Sequence, residues 1–576
     1  MKKTVRLLAF LLAVVTCVGL LAACGGSSDP ATTTQAPTTT QAPTTTQAPT
    51  TTAAPDTTTA APGETQAPVT TEAPVTTAGE VDWAKWEALD FSDVTLRIMY
   101  NDYVGKNVSD YGSGNSLVYL KGPDDIGATT RGDYQAAYER HERVLDALNF
   151  VPGVNFEYVM AEWDGNCDSI LPKIQSLTST SLEDAPNIMI HQNYGMVRAG
   201  ILGEFYNALD TEEVNYFDLT HNNWYLDMME ENTIDTSKIY MLMGDYLIDQ
   251  LRFAFAVLVN AEMAEEVLGI RGGLDYIYDL VDDGYWTYDA MMEIAEMAYE
   301  GSTGANLVMG VLGDSSWFAR NFFSCSGLDI FYRDANGEAF YVEGEAINPI
   351  HDWVDKLISM ERQEFFSYHW NKNPLNTAKE SPATTFVNGG SLFALNQMVL
   401  SMEGSLVQQM SSTAGILPNP KYVAGGDDNM TADDIAKGYG ALVSDNANSA
   451  GVLISSAPEQ FTAASAFLQA MTEASDPFFE EFFELGLKYK NNDLGPRHVD
   501  MLDYIHDGIC SPMSFLYDNY CSKSLKNSAY QTYGALIYPS IDALDNQFSS
   551  TWDSQLPPKK DQWESIKTNF GLKTGE

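Results

Sequence analysis

The stretch Val94-Thr95-Leu96-Arg97-Ile98-Met99-Tyr100 predicts the first strand of the folded part of the chain, because β-branched and apolar residues are typical of strands. A helix is predicted after it from apolar residues at helical spacing, namely Ala137, Tyr138, Val144, Leu145 and Leu148. Pro152-Gly153 ends that helix, and Val154 to Met160 predicts a second strand.

A short apolar strand, Asn187-Ile188-Met189-Ile190, follows one further predicted helix. Strands that alternate with helices in this way predict an α/β fold with a parallel sheet and right-handed crossovers. Phe253 to Val259 predicts another buried strand, and Thr287 is expected to cap a later helix.

The segment Phe331 to Tyr341 predicts a hairpin that turns at Asn336-Gly337. Asp334, Asn336 and Glu338 alternate as calcium ligands do, but the glycine stands at loop position 4 where an EF-hand loop has it at position 6. We therefore expect no metal site and no cofactor.

The N-terminus predicts export. A basic start is followed by an apolar run from Leu7 to Leu20, which is too short for a comfortable membrane span. Leu21-Ala22-Ala23-Cys24 resembles the lipobox of bacterial lipoproteins. Residues 1–23 are then a signal peptide, and Cys24 carries a diacylglyceryl thioether and fatty acid such as palmitate. The alternative is a plain secretory signal in which Cys24 is incidental.

Residues 24–80 predict a disordered tether. Thr32-Thr33-Thr34-Gln35-Ala36-Pro37 recurs at 38–43 and at 44–49, and such a composition cannot bury enough apolar surface to fold. The expected location is the extracytoplasmic face of a bacterial cell membrane, with the body, residues 81–576, hung from the lipid anchor. Glycosylation of the tether is only a compositional hint.

Charge and cysteines narrow the possible partners. The chain has 576 residues and a net charge of −47, which disfavours nucleic acid and direct docking on anionic lipid. Cys167, Cys325, Cys510 and Cys521 remain in the body. A bridge between Cys510 and Cys521 and buried free thiols both stay open.

Five segments, in order, resemble motifs of the extracellular solute-binding proteins, family 1, of bacterial ABC importers, mainly the carbohydrate-uptake branch. They are Ala185-Pro186-Asn187-Ile188-Met189-Ile190, Ser237-Lys238-Ile239-Tyr240-Met241-Leu242, Val281-Asp282-Asp283-Gly284-Tyr285-Trp286-Thr287-Tyr288-Asp289, Phe386-Val387-Asn388-Gly389-Gly390-Ser391-Leu392-Phe393 and Gly415-Ile416-Leu417-Pro418-Asn419-Pro420-Lys421-Tyr422. Asn187 stands where the family usually has aspartate, and Ser237 where it has glycine.

This resemblance implies a two-lobe, periplasmic-binding-protein-like fold of type II, preceded by the signal and the linker. Lobe one would comprise about 92–257 and 391–443, and lobe two about 258–390 and 444–576. The lobes would close on a sugar, oligosaccharide or other small solute, and ABC permease subunits would read the closed state. We expect a monomer.

Ligand-binding residues are expected just past the strand ends, where α/β folds bind ligands. Aromatic rings suit the C–H faces of a sugar, and amide, carboxylate and guanidinium groups suit its hydroxyls. The candidates are Tyr100, Asp102, Tyr103, Gln192, Asn193, Asp245, Trp317, Arg320, Asn396 and Tyr439. Trp317 is the best candidate for a stacking platform, although each aromatic residue has a core or surface role as its alternative.

Two other function classes remain as alternatives: a surface-anchored glycan-binding adhesin and a polysaccharide hydrolase. The sequence has no HExxH, GxSxG, P-loop or GxGxxG motif. Paired carboxylates could hydrolyse glycosides, but 79 acidic residues make such pairs uninformative. We expect no enzymatic activity and no catalytic residues.

Overall fold

The computed structural model describes residues 81–101, 116–127, 130–161, 172, 174–176, 185–201, 203–210, 214–234, 237–302, 308–313, 317–368, 381–399, 407, 410–483, 495–518 and 532–569. The predicted signal peptide, Cys24 and the tether lie outside these residues, as do Asp102 and Tyr103. Among the described helices, none has both the length and the hydrophobicity needed to cross a bilayer.

The strands of the described residues form two main sheets and two short pairs. In chain order they are β1 (Leu96–Asn101), β2 (Phe156–Ala161), β3 (Ile188–Gln192), β4 (Phe255–Asn260), β5 (Met309–Leu312), β6 (Phe331–Arg333), β7 (Ala339–Tyr341), β8 (Phe366–Ser367), β9 (Ser391–Met398), β10 (Ala414–Leu417), β11 (Ala441–Leu442), β12 (Asn448–Val452) and β13 (Ile509–Cys510).

The main helices lie between these strands. They are α1 (Trp83–Glu87), α2 (Ser116–Lys121), α3 (Gly132–Ala147), α4 (Asn193–Ile201), α5 (Leu226–Glu231), α6 (Asp249–Arg252), α7 (Ala261–Leu268), α8 (Leu274–Asp282), α9 (Tyr288–Gly301), α10 (Phe318–Ser324), α11 (Asn348–Glu361), α12 (Pro382–Val387), α13 (Ala432–Ala436), α14 (Pro458–Glu473), α15 (Asp476–Glu481), α16 (Arg497–Asp507), α17 (Thr532–Ala543) and α18 (Phe548–Asn569). Turns of 3₁₀ helix at Gly344–Ile347 and Asp427–Asn429 and a π-helical turn at Ser514–Asp518 complete the described helical segments.

The two main sheets repeat one strand order. The first sheet runs β2-β1-β3-β12, and the second runs β8-β5-β9-β4-β10. In each sheet three parallel strands are followed by one antiparallel strand, which is β12 in the first and β4 in the second. This repeated topology confirms the predicted α/β fold and divides it over two sheets, one for each predicted lobe.

The strand pairing exchanges two chain segments relative to the predicted lobe bounds. β9 and β10, within 391–443, belong to the second sheet, and β12, within 444–576, belongs to the first. β9 carries four consecutive fully buried residues, Leu392 to Leu395. Such a run is typical of a strand inside a sheet whose two faces are both covered, and β9 pairs with β4 on one edge and β5 on the other.

Two of the motif segments differ in local structure from the expected strands. Ser237 to Leu242 forms an isolated bridge from Leu242 to Ala450, because Ile239 hydrogen-bonds with Asn207 and Ala208 of a neighbouring loop. The segment from Phe386 begins as the end of α12, and its strand starts only at Ser391.

Several local predictions are confirmed. Thr287 caps α9, since its side chain accepts a hydrogen bond from the backbone N–H of Ala290. β6 and β7 form the predicted hairpin, and Gly337 at its turn has a φ of 81°, which favours glycine. β1 to β4 lie within two residues of their predicted bounds.

Candidate functional site

The carboxyl edges of the two sheets are joined by two short segments that run side by side. α6 leads from beside β12 directly into β4, and the return segment leads from β11 back to β12. Ala254 on one segment forms an antiparallel bridge with Val443 on the other. Because both segments leave from the carboxyl edges, these two edges face each other across the link, where α/β folds place their ligands.

Amide side chains cluster at the edge of the first sheet. Gln192, the last residue of β3, donates through Nε2 to Oδ1 of Asn446 at 3.3 Å. Asn193 donates through Nδ2 to Oε1 of Gln250 at 3.4 Å. Its Oδ1 is buried and has no hydrogen-bond partner among the described residues. A buried acceptor of this kind is usually satisfied by an ordered water or another polar group.

A buried ion pair holds the first connecting segment. Arg252 donates through Nη1 to Oδ1 of Asp249 at 3.1 Å, and both side chains are fully buried. Asn448 at the start of β12 donates to the other carboxylate oxygen at 2.6 Å. The guanidinium carbon also lies 4.3 Å from the ring centroid of Tyr119. Burial raises the pKa of Asp249, while Arg252 and Asn448 act to lower it.

Trp317 lies at the edge of the second sheet. Its half-buried ring is 4.9 Å, between centroids, from Phe255, the first residue of β4. Phe515 lies on another side of it at 6.1 Å. The guanidinium carbon of Arg320 is 4.5 Å from the ring centroid, within cation–π range. The structure therefore brings Trp317 and Arg320 together beside the link between the sheets.

Asn396 marks an irregularity near the carboxyl end of β9. Its φ is 60°, and the pairing of β9 with β4 shifts register between Ala256 and Leu258. Its Oδ1 accepts a hydrogen bond from Nδ2 of Asn321 at 3.0 Å, and Asn321 also donates to Asn419 at 2.8 Å. Bulges of this kind are over-represented next to active sites, where they re-aim a side chain.

Asp245 belongs to a different polar cluster. Its carboxylate accepts a hydrogen bond from the hydroxyl of Tyr225 at 2.5 Å and lies 3.7 Å from Nε2 of His506. Burial acts to lower the pKa of His506, but Asp245 and Asp507 outweigh it and raise that pKa to about 10. This cluster joins α16 to the segment that precedes α6.

Tyr439 and Tyr100 make structural contacts. The hydroxyl of Tyr439 donates to the carbonyl of Val281 at the end of α8, at 2.8 Å, and its ring is buried. Burial raises its pKa above the ordinary range. Tyr100 is half-buried at the end of β1, and its ring packs edge-on against Tyr158 at 6.3 Å.

The structure places six of the ten candidates at these edges: Tyr100, Gln192, Asn193, Trp317, Arg320 and Asn396. Asp245 and Tyr439 make other contacts, and Asp102 and Tyr103 lie outside the described residues. The sequence prediction missed Gln250, Asn446 and Asn448, whose amides complete the first edge, and the Asp249–Arg252 pair. The polar run Asp249-Gln250-Leu251-Arg252 directly before an apolar strand was an available signal, because polar side chains beside a buried strand need buried partners.

Elsewhere in the described residues, a small cavity lies between α4, the region of α5 and Tyr517. Its volume is about 10 Å³, which is at the limit for a single water molecule. It is lined by Met196, Val197, Gly200, Met229, Asn232, Thr233, Ile234, Lys238, Tyr240, Met241 and Tyr517. It is too small for a sugar.

Comparison with protein families and with curated proteins identifies no relative of this chain. No protein-family model matches the sequence, and no curated protein matches it either.

Three solved structures are similar to the chain over most of its length. T. maritima MalE3 with maltose bound has 12% identity and a TM-score of 0.41, covering 82% of this chain and 99% of that one. The uncharacterized protein lmo0859 of Listeria monocytogenes EGD-e has 11% identity and a TM-score of 0.45, covering 83% and 99%. The GacH receptor of Streptomyces glaucescens GLA.O, described unliganded and with acarbose, has 10% identity and a TM-score of 0.38, covering 84% and 100%. The fold assignment rests on the strand topology described above, and these similarities identify no ligand.

Proposed function

We propose that this protein is the extracytoplasmic substrate-binding component of an ABC importer, which captures a sugar or oligosaccharide between its two lobes and delivers it to a membrane permease. The proposal rests on one observation: the carboxyl edges of the two sheets face each other across the two connecting segments, which pair at Ala254 and Val443. Two lobes joined by short segments can close on a ligand as a hinge does.

The chemistry of the two edges favours a neutral, hydroxyl-rich ligand. The first edge offers amides, which both donate and accept hydrogen bonds. The second offers the half-buried indole ring of Trp317, with the guanidinium group of Arg320 lying over it, and the C–H face of a sugar can stack on the part of the ring that stays exposed. A net charge of −47 disfavours an anionic ligand.

One carboxyl group at the first edge is not free for glycoside hydrolysis. A hydrolase needs two carboxyl groups that are free to act on the scissile bond. At the first edge, Asp249 is held by Arg252 and Asn448 on its two oxygens. Its carboxylate stabilises the link between the sheets instead of facing a ligand.

The anchor and tether are part of the proposal. Cleavage before Cys24 and lipidation of its sulfur would fix the protein to the outer face of the membrane, and residues 24–80 would hold the body away from it. We expect that Cys24→Ser abolishes incorporation of a fatty-acid analogue in growing cells. Undiminished label in that variant would contradict lipidation at this cysteine.

A thermal-shift screen against neutral oligosaccharides tests the proposed function. A ligand that binds only the folded protein stabilises it by about 2.7 kcal/mol at a hundredfold excess over Kd. We expect at least one oligosaccharide to raise the melting temperature and to bind saturably, and mass spectrometry to recover it unchanged. Shortening of the oligosaccharide at enzyme-like rates would contradict the proposal.

A further inference from the structure

Two body cysteines, Cys325 and Cys510, lie side by side in the described part of the chain. Cys325 is buried and follows the last residue of α10, while Cys510 is half-buried in β13. They are separated by 185 positions in the sequence. Their contact is therefore a product of the tertiary fold.

The strand β11 brings the two cysteines together. Gly440, just before β11, lies against Cys325 so closely that a Cβ at this glycine would be 2.9 Å from the cysteine Cβ. β11 then pairs in parallel with β13, with Leu442 opposite Cys510. Backbone N–H groups of Ala441 and Val443 donate to Gly508 and Cys510 and fix that register.

The polar neighbours of Cys325 hold its thiol in place. Its Sγ lies 3.4 Å from Oδ1 of Asn321 and 3.6 Å from Nδ2 of Asn419. The thiol of Cys510 interacts with that of Cys325, and this interaction together with burial raises the pKa of Cys510. The two thiols therefore need little movement to meet.

We propose that Cys325 and Cys510 form a disulfide in the exported protein, which joins the end of α10 covalently to β13. The oxidant is a small disulfide such as oxidised glutathione. The half-buried Cys510 is the more accessible thiol, and once it has lost its proton it attacks the small disulfide as thiolate and releases one thiol, a step that its raised pKa makes slow at neutral pH. Cys325 then displaces the second thiol. Each cysteine proton leaves with one of the released thiols, so two protein thiols are oxidised and one disulfide is reduced to two thiols.

The bond would act on both sides of Trp317. α10 starts directly after Trp317 and carries Arg320, and β13 leads towards Phe515, which contacts the same indole ring. A disulfide there would keep these groups in register. The inference needs the oxidising exterior that the proposed export supplies, but it does not depend on the identity of the ligand.

Peptide mapping tests the bond directly. The full-length protein released from cells is treated with oxidised glutathione, its free thiols are blocked with N-ethylmaleimide, and it is digested with trypsin and Asp-N without reduction. Trypsin alone leaves Cys510 and Cys521 on one peptide, whereas cleavage before Asp518 separates them.

We expect a peptide that links Cys325 to Cys510, in the unaltered protein and in the control Cys521→Ser. We also expect oxidation to raise the melting temperature by a few degrees in these two proteins and not in Cys325→Ala or Cys510→Ala. Recovery of both thiols in the blocked form, or a link between Cys510 and Cys521, would overturn the proposal. The mapping needs no variant, so a poorly folding variant does not decide the result.

Discussion

At the scale of single residues, a substitution of Trp317 distinguishes a ligand-binding role of its side chain from a packing role. Its ring is half-buried against Phe255 and Arg320. We expect Trp317→Ala to weaken binding of a glycan found in the thermal screen by about 1–3 kcal/mol. The same substitution should lower the free energy of unfolding by less than the roughly 3–5 kcal/mol that truncation of a fully buried aromatic residue costs. Calorimetric titration and urea unfolding measure the two quantities.

A matched control for Trp317 is Tyr332, an exposed aromatic residue in the β6–β7 hairpin. Tyr332→Ala should change neither affinity nor stability appreciably. Trp317→Ala with normal affinity and a large loss of stability would show that the indole belongs to the core, and the stacking platform would then lie elsewhere.

Arg252 neutralises a buried carboxylate between the two sheets. Arg252→Met leaves Asp249 without its positive partner, and such a change costs about 3–5 kcal/mol of folding free energy. The double variant Asp249→Asn, Arg252→Met should recover much of that loss, because no buried charge remains. Urea unfolding measures all three proteins.

The control for Arg252 is Arg271, an exposed residue that pairs with Glu293 at 3.1 Å. Arg271→Met should leave the unfolding midpoint almost unchanged, because exposed ion pairs stabilise proteins little. Equal losses in the Arg252 and Arg271 variants would contradict a special role for the buried pair.

His506 predicts a pH dependence of stability. Burial acts to lower its pKa, but Asp245 and Asp507 raise it from 6.5 to about 10 in the folded protein. A raised folded-state pKa gives a stabilisation that is complete below pH 6.5 and is lost as the pH rises through 10. At pH 6 we therefore expect His506→Gln to be less stable than the unaltered protein by about 1.5–3 kcal/mol.

The difference between these two proteins should shrink as the pH approaches 10, in urea unfolding measured at both ends of the range. Because the other groups titrate in both proteins, their contribution cancels in the difference between the two unfolding free energies. A difference that is constant with pH would show that the charge on the His506 ring contributes nothing to stability.

At the scale of elements, the sequence predicted the strands well where apolar runs are short and bounded by turn residues. β1 and the β6–β7 hairpin are examples. It failed where pairing depends on distant segments. The local pattern of 391–398 does not indicate that this strand pairs with β4 and β5. The predicted lobe bounds therefore assigned β9 and β12 to the wrong lobes. The same limit applies to Gln250 and Asn446, whose partners are distant in sequence.

The tether is the element whose removal should change least. Residues 29–80 have no apolar periodicity, so we expect them to contribute no core contacts. Deleting them should leave the melting temperature and the ligand affinity of the body almost unchanged. A fall of several degrees in a thermal scan would show instead that the tether packs on the body.

At the scale of the whole molecule, the arrangement of the two sheets favours closure on a ligand. Two sheets of the same strand order face each other with their carboxyl edges, and the short segments at Ala254 and Val443 join them. A ligand that contacts both edges favours the closed arrangement by its differential affinity for that state. The permease would then distinguish loaded from empty protein by the position of the lobes.

Solution X-ray scattering of the mature protein, free and saturated with a glycan from the thermal screen, tests this claim most directly. We expect a smaller radius of gyration in the saturated protein, because the lobes rotate towards each other. A protein without residues 29–80 serves as a second sample, in which the tether contributes nothing to the scattering. Saturable binding with an unchanged radius of gyration in both samples would contradict closure of the two lobes on a ligand.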